Sequence, residues 1–241
     1  MSTTDAAGQD RRGPAERAAL RSGIAVGLAT AAYGVSFGAL AVASGLDLWQ
    51  TSFLSLVMFT GGSQFALIGV VATGGVAAGA SGIATAALFG LRNAIYGMRM
   101  APLVGEGPWW QRIAAAWGTI DESTAVALAQ PTPRARRWGF WSTAVAVFIG
   151  WNLTTVAGAL IGDALGDPRA WGLDAAAAAA FLGLLWPRLK SLQTGAVAVG
   201  AAVVATAFTP VLMPGLPVLV AAVVGLVVGA FNLLGRKAAS A

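Results

Sequence analysis

The sequence predicts an all-α integral membrane protein, a polytopic bundle of about seven or eight transmembrane helices with at least one discontinuous helix. Hydrophobic residues make up 57% of the 241 residues and charged residues only 10%, whereas soluble domains carry about 25% charged residues. Apolar stretches near the roughly 20 residues that cross a bilayer recur along the chain. One stretch contains two adjacent glycines, which predicts a break in that helix.

The apolar stretches divide the chain into elements in order. Residues 1–20 are polar and are expected to form a disordered cytoplasmic tail. A single transmembrane transport domain follows over 21–235, and 236–241 form a short cytoplasmic C-terminal tail. Seven spans is the alternative to eight, because the fourth segment contains Asp121 and Glu122 and the sixth is short. The predicted spans are 21–43, 49–72, 76–101, 110–130, 138–161, 173–187, 190–208 and 216–234.

The positive charges predict the orientation of these spans. Lysine and arginine collect on the cytoplasmic side of membrane proteins. An eight-span chain that starts inside places Arg134, Arg136 and Arg137 inside, together with both termini. Arg99 and Arg112 are exceptions, because they flank a loop that this scheme places outside. Both termini are therefore expected to be cytoplasmic.

Two residue types are absent from the sequence. The chain contains no cysteine and no histidine, which excludes disulfides, thiolate or imidazole metal sites, and Ser-His or Cys-His catalytic pairs. We therefore expect no cofactor, no metal ion and no enzymatic activity. The net charge of +5 is spread between apolar spans, so we expect contact with membrane lipid and not with nucleic acid.

The segment FTGGSQF, residues 59–65, is the first candidate site. Gly61 and Gly62 lie in the middle of the second predicted span, where unwound backbone is tolerated only against protein or a water-filled cavity. Many transporters build a substrate site from such a broken helix. A second half-helix beginning near Ser63 would direct its free amides at a carboxylate, and Gln64 would supply a donor and acceptors. A Gly-rich packing notch, with Gln64 bonded to a neighbouring helix, is the alternative.

The segment LRNAIYGMR, residues 91–99, is the second candidate site. Arg92, Tyr96 and Arg99 share one helical face by their spacing, and Asn93 lies beside them. A charge within a span usually faces the bundle interior or a cavity. Arg92 is expected to hold the substrate carboxylate or to pair with Asp121 or Glu122. Snorkelling of the arginines to the membrane surface is the alternative.

The segment GTIDESTAVAL, residues 118–128, carries the third candidate site. Asp121 and Glu122 are adjacent, and consecutive residues point about 100° apart on a helix. One acid can therefore face an arginine while the other faces a cavity. A carboxyl group at such a depth can load and release a proton as its access to solvent changes. Both acids are candidates for proton coupling; a solvated interfacial helix is the alternative.

These segments, in this order, resemble the AzlC family of branched-chain amino acid permeases. The resemblance rests on FGALAVASGLDLWQTSFLSLVMFTGGSQFALIGV, LRNAIYGMRMAP, TIDESTAVAL and WGLDAAAAAAFLGLL, and it covers roughly residues 25–190. Asn93 departs from the histidine that is usual in the family, and FTGGSQF departs from the common FAGASQF. The resemblance implies an inner-membrane exporter of branched-chain amino acids that works with a small membrane partner of the AzlD family.

Three classes of function compete for this sequence. A channel would need a wider polar lining, and the spans have no periodic polar face. An intramembrane enzyme would need a catalytic group of residues that the sequence does not supply. The predicted function is therefore a secondary transporter that exports branched-chain aliphatic amino acids across the cytoplasmic membrane, with proton coupling as a hypothesis. A channel-like or scaffold subunit of a membrane complex is the alternative.

Overall fold

The computed structural model describes residues 13–165, 182–183, 185–186 and 189–231, and all regular elements within them are helices. Three helices are long: α1 (Pro14–Ala43), α4 (Gly79–Val104) and α7 (Pro133–Ala164). Two shorter apolar helices, α8 (Leu192–Phe208) and α9 (Leu216–Phe231), follow. Four short helices lie between the long ones: α2 (Leu48–Val57), α3 (Gly61–Gly74), α5 (Trp109–Trp117) and α6 (Asp121–Leu128). A 3₁₀ turn, Val76–Ala78, precedes α4.

The helix bounds follow the predicted spans, except at the start of α1 and in the fourth predicted span. Helix α1 begins at Pro14, so the tail predicted over 1–20 already contains helix. The second and fourth predicted spans are each a pair of short helices. Among the described residues, α1 and α7 are long and apolar enough to cross a membrane. The sixth predicted span, 173–187, lies almost wholly outside the described residues, and the count of seven or eight spans stays a prediction.

Contacts divide the chain into two compact units, where the sequence predicted one transmembrane domain. Unit 1 comprises Met1–Tyr33 and Arg92–Trp151. Unit 2 comprises Gly34–Leu91 and Asn152–Ala241. Each unit is described by itself below.

Within each unit, small residues bring α1 and α7 into close contact. In unit 1, a methyl group added to Gly27 would lie 2.5 Å from the Ala146 side chain. In unit 2, a methyl group added to Gly38 would overlap the Thr155 carbonyl oxygen, and one added to Gly158 would overlap that of Val35. Backbones that approach this closely gain van der Waals packing that a larger residue would prevent.

In unit 1, α5 and α6 form a re-entrant hairpin between α4 and α7. The guanidinium of Arg137, near the start of α7, lies 2.7 Å from the Glu106 carboxylate and donates from Nε to the Leu103 carbonyl at 2.7 Å. The segment 105–133 therefore begins and ends at the same end of the unit. Helices of 9 and 8 residues are each about 12–14 Å long, too short to cross a core of about 30 Å. The described residues therefore show two short helices in place of one continuous span over 110–130, and the number of membrane crossings stays a prediction.

This hairpin removes the two exceptions to the predicted orientation. Because the chain returns to the end from which it left, Arg99 and Arg112 fall on the same end of unit 1 as Arg137. The start of α1 is there too, since Glu16 lies 3.4 Å from Arg134. These arginines lie at one end of unit 1, and the side of the membrane on which that end lies stays a prediction.

A buried apolar group fixes the hairpin in unit 1. Met100 and Val104 of α4, Ala115 of α5, Ala127 of α6 and Phe140 of α7 pack together, and each is less than about one-tenth exposed. The two short helices thus bury one side against the long helices. This packing places the α5–α6 break inside unit 1.

Candidate functional site

The interruption predicted in the second span is present in unit 2. Helix α2 ends at Val57 and α3 begins at Gly61, so the break consists of residues 58–60. Thr60 has extended backbone angles, with φ −159° and ψ 101°. The sequence predicted that the two glycines form the break. In the structure they form the first turn of α3, directly after it. Glycine has no side chain there to shield the backbone amides from a ligand.

The Gln64 side chain bonds across this break and holds α3 against the end of α2. Its side chain is fully buried, and Nε2 donates to the Met58 carbonyl at 2.7 Å. Nε2 also lies 3.4 Å from the Leu54 carbonyl oxygen, ten residues earlier. Two collinear half-helices would hold these residues about 20 Å apart, so α3 must double back over the C-terminal end of α2. The Gln64 donor expected to contact substrate is therefore committed to the protein, and its Oε1 has no partner among the described residues.

The first turn of α3 has backbone amides that lack an intrahelical acceptor. The first amides of a helix have no intrahelical acceptor, and Thr60 supplies no side-chain cap. The first intrahelical bond here runs from the Gln64 N–H to the Thr60 carbonyl at 3.0 Å. The available amides are therefore those of Gly61, Gly62 and Ser63, and not those from Ser63 onward as the sequence predicted.

Ser63 adds an unpartnered hydroxyl at the same place. Its side chain is 1% exposed, and Oγ has no hydrogen-bond partner within the described part of the chain. A methyl group on Gly90 of α4 would lie 3.7 Å from this oxygen, so the hydroxyl is next to the neighbouring helix. A buried hydroxyl without a partner costs about 1–3 kcal/mol, and a ligand that accepts its hydrogen bond would recover that cost.

Arg92 and Asp121 form an ion pair in unit 1. Arg92 Nη2 lies 2.9 Å from Asp121 Oδ2, and the two side chains are 24% and 25% exposed. Of the two roles predicted for Arg92, the structure shows the pairing with Asp121. The second carboxylate oxygen, Oδ1, is buried and has no partner among the described residues. Only one of the two carboxylate oxygens of Asp121, Oδ2, is therefore paired within the described residues.

The other residues predicted around Arg92 lie along α4 and at the start of α6. Asn93 is half-buried, with a side-chain oxygen that has no partner in the described residues. Tyr96 is half-buried and Arg99 is exposed. Glu122 is half-buried beside Asp121 in the first turn of α6.

Ser123 closes the second break, a role that the sequence analysis missed. Its buried Oγ accepts from the Ile120 N–H at 3.1 Å and donates to the Gly118 carbonyl at 2.7 Å. Thr119 Oγ1 adds a bond of 2.6 Å to the Ala115 carbonyl at the end of α5. The signal in the sequence is a serine three residues after Ile120, at the same place in its helix as Ser63 after Thr60.

Each unit therefore contains one broken hairpin with its own set of the predicted site residues. Unit 2 contains Gly61, Gly62, Ser63 and Gln64, in the first turn of α3. Unit 1 contains Arg92, Asn93, Tyr96, Asp121 and Glu122, with one ion pair already formed.

The comparisons with known proteins give one match. The family model described as AzlC protein matches residues 25–165, which is more than half of the chain and includes both hairpins. No curated protein and no solved structure gives a match.

Proposed function

The chain belongs to the AzlC family, and from that premise we propose that it exports branched-chain aliphatic amino acids across the cytoplasmic membrane. Membership indicates a membrane protein of a transport-associated family, with a function related to branched-chain amino acid transport. The direction of transport, the multi-pass topology with cytoplasmic termini and the residues involved belong to the proposal.

The N-terminal end of α3 is the proposed carboxylate site. Amides of Gly61, Gly62 and Ser63 without an intrahelical acceptor, next to the buried unpartnered hydroxyl of Ser63, are the observation that carries it. The helix dipole adds a positive field of about half an elementary charge at this end. No acidic residue in the first turn of α3 neutralises that field. An anion that accepts from several of these donors would be bound strongly for its size.

The rest of the substrate sets two further requirements. Its ammonium group needs acceptors, which the carbonyl oxygens of the break or an acidic residue would supply. Its aliphatic side chain needs an apolar surface, and Phe37 and Phe65 pack edge to face near the break with their ring centroids 5.8 Å apart. Gln64 acts in this scheme as a positioning residue, because its bond to Met58 holds the two half-helices together.

The Arg92–Asp121 pair is the proposed proton-coupling element. A proton taken up by Asp121 would remove the negative charge that holds Arg92 at 2.9 Å. Release of the proton would restore the pair. Glu122 is the second candidate, because it lies in the same helical turn. Arg92, Asn93 and Tyr96 stay candidates for substrate contact when the pair is open.

Proteins of this family work in general with small AzlD-type membrane partners. We propose that this chain also requires such a partner for transport. The partner would bind in the membrane together with lipid, and no nucleic acid is expected to bind.

The test of this function is efflux of labelled amino acid. Cells or vesicles are preloaded with leucine, valine or methionine, and efflux is measured with and without this chain and a co-expressed AzlD-type partner. We expect faster efflux of leucine and valine with the chain and its partner. Equal efflux under all conditions would favour the alternative of a scaffold subunit and overturn the proposal.

A further inference from the structure

Unit 2 contains a second group of buried polar side chains beside the α2–α3 break. Thr51 and Ser55 lie one helical turn apart on α2, and Thr155 lies on α7. Each of the three is at most 1% exposed. The fully buried Gln64 reaches the same turn of α2, because its Nε2 lies 3.5 Å from the Ser55 carbonyl oxygen.

These side chains leave oxygen atoms without full hydrogen bonding. Thr51 Oγ1 and Gln64 Oε1 have no partner among the described residues. Ser55 Oγ and Thr155 Oγ1 are 3.4 Å apart, beyond the roughly 2.5–3.0 Å of an O–H···O hydrogen bond. A hard cation with oxygen ligands at about 2.4 Å spaces neighbouring octahedral ligands about 3.4 Å apart. The hydroxyl pair therefore has the separation of two ligands on one ion.

We propose that Thr51, Ser55, Thr155 and the Gln64 side-chain oxygen bind a monovalent cation, Na⁺. Ser55 lies in the last turn of α2, at the negative end of the helix dipole, whereas Thr51 lies one turn earlier. Half-helix ends and hydroxyl or carbonyl oxygens are used in this way for Na⁺ in transporters with broken helices. A bound ion would satisfy oxygens that otherwise remain buried and unpaired.

The neutral side chains of the proposed site favour a monovalent ion over a divalent one. All four side chains are neutral; the exposed Asp47 carboxylate, at the N-cap of α2 and four residues before Thr51, accepts from the Gln50 N–H. A divalent ion buried without an opposite charge would be costly. The two proposed sites share Gln64, but the cation site uses its Oε1 with other acceptors, whereas the carboxylate site uses donors of the first turn of α3. The cation site therefore does not rest on the proposed function.

Binding is tested without any amino acid present. The purified full chain is unfolded thermally in sodium chloride and in choline chloride of equal ionic strength. We expect a rise in Tm of about 3–6 °C in sodium when the concentration is ten times Kd, increasing further with the logarithm of the sodium concentration. Equal Tm values in the two salts would overturn the proposal. A rise produced by leucine in choline, and none produced by sodium, would assign the oxygens to an ammonium group and also overturn it.

Two threonine-to-valine variants make a matched pair. Thr51→Val removes an oxygen without a hydrogen bond, so it should fold normally and bind Na⁺ at least about tenfold more weakly. Thr85→Val removes a hydroxyl equally buried in unit 2, but bonded to the Ser81 carbonyl at 2.8 Å. It should lower Tm in both salts and keep the sodium Kd. Equal sodium affinity in the Thr51 variant and wild type would contradict the site.

Thr155→Ser, which keeps the oxygen, should bind Na⁺, whereas Thr155→Val should not.

Discussion

The two broken hairpins have the same construction and opposite electrostatics. In each, a residue with extended backbone, Thr60 or Ile120, precedes a helix whose third residue is a buried serine. The first two residues differ: glycines at the start of α3 and two acids at the start of α6. Acids in the first turn of α6 neutralise its positive dipole end. The start of α3 has no such charge, so it stays available to an external anion.

The two serines show the same contrast. Ser123 satisfies the backbone on both sides of its break, with one bond accepted and one donated. Ser63 makes neither bond. The Ser123 hydroxyl is thus bonded within the protein, whereas the Ser63 hydroxyl has no partner among the described residues. This difference is why the carboxylate site is proposed at α3.

The largest effect is expected when α3 is given the charge of α6. Gly61→Asp places a carboxylate at the residue that corresponds to Asp121. Leucine export should fall about 100-fold or more, because the acid occupies the amides and repels the substrate. The free energy of unfolding should change by less than about 1 kcal/mol, since a negative charge is favourable at a helix N-terminus.

The control is Gly61→Asn, which has the same shape and no charge. Its export should fall less than that of the aspartate variant. Equal export by the two variants, measured as leucine efflux from preloaded vesicles, would show that charge at this position is irrelevant. The proposed carboxylate site would then be abandoned.

The next effect concerns the ion pair in unit 1. Asp121→Asn leaves Arg92 without its partner, and should lower the free energy of unfolding by about 1–3 kcal/mol, between the values for exposed and for buried pairs. Leucine export driven by a pH gradient should also be lost. The double variant with Arg92→Gln should be more stable than Asp121→Asn alone, because no uncompensated charge remains. Full retention of pH-driven export would exclude Asp121 as the coupled group.

Serine-to-alanine changes compare the two hairpins directly. Ser123→Ala leaves the Ile120 N–H and the Gly118 carbonyl without their partner, and should cost about 2 kcal/mol of unfolding free energy. Ser63→Ala loses no bond and removes a buried unpartnered hydroxyl, so the unfolding free energy should rise by up to about 1–3 kcal/mol, while the KM for leucine should rise about fivefold.

The control for both serine variants is Ser52→Ala in α2. Its hydroxyl donates to the Leu48 carbonyl at 2.7 Å, away from the break. Chemical unfolding and concentration-dependent efflux measure the two quantities. A KM in the Ser63 variant equal to that of the Ser52 variant would contradict the role of the Ser63 hydroxyl.

The smallest effect is expected for Glu122→Gln. The charge lies in the first turn of α6, where a single carboxylate contributes about 0.3–1 kcal/mol. Export driven by a pH gradient should continue if Asp121 alone carries the proton. Loss of that export, with the unfolding free energy little changed, would move the coupling role from Asp121 to Glu122.

Several features of the candidate site could be predicted from the sequence because their causes are local. Two glycines in an apolar run predict an interrupted helix, and the interruption is found within three residues of them. The pairing of Arg92 with Asp121 was one of two expected roles, since a charge in an apolar segment needs an opposite partner. The commitment of Gln64 to Met58 could not be predicted, because many acceptors suit an amide and only the fold selects one.

By itself, the sequence determined that the chain is a helical membrane protein of the AzlC family with a broken second segment. Composition and apolar run length carry that information residue by residue. Only the tertiary structure decided that the fourth segment forms a hairpin of two short helices, because that depends on the contact of Arg137 with Leu103, 34 residues away. It also decided that Ser123 bonds the backbone of its own break and that Ser63 has no such bond among the described residues. Such choices depend on packing between distant segments, which no local pattern records.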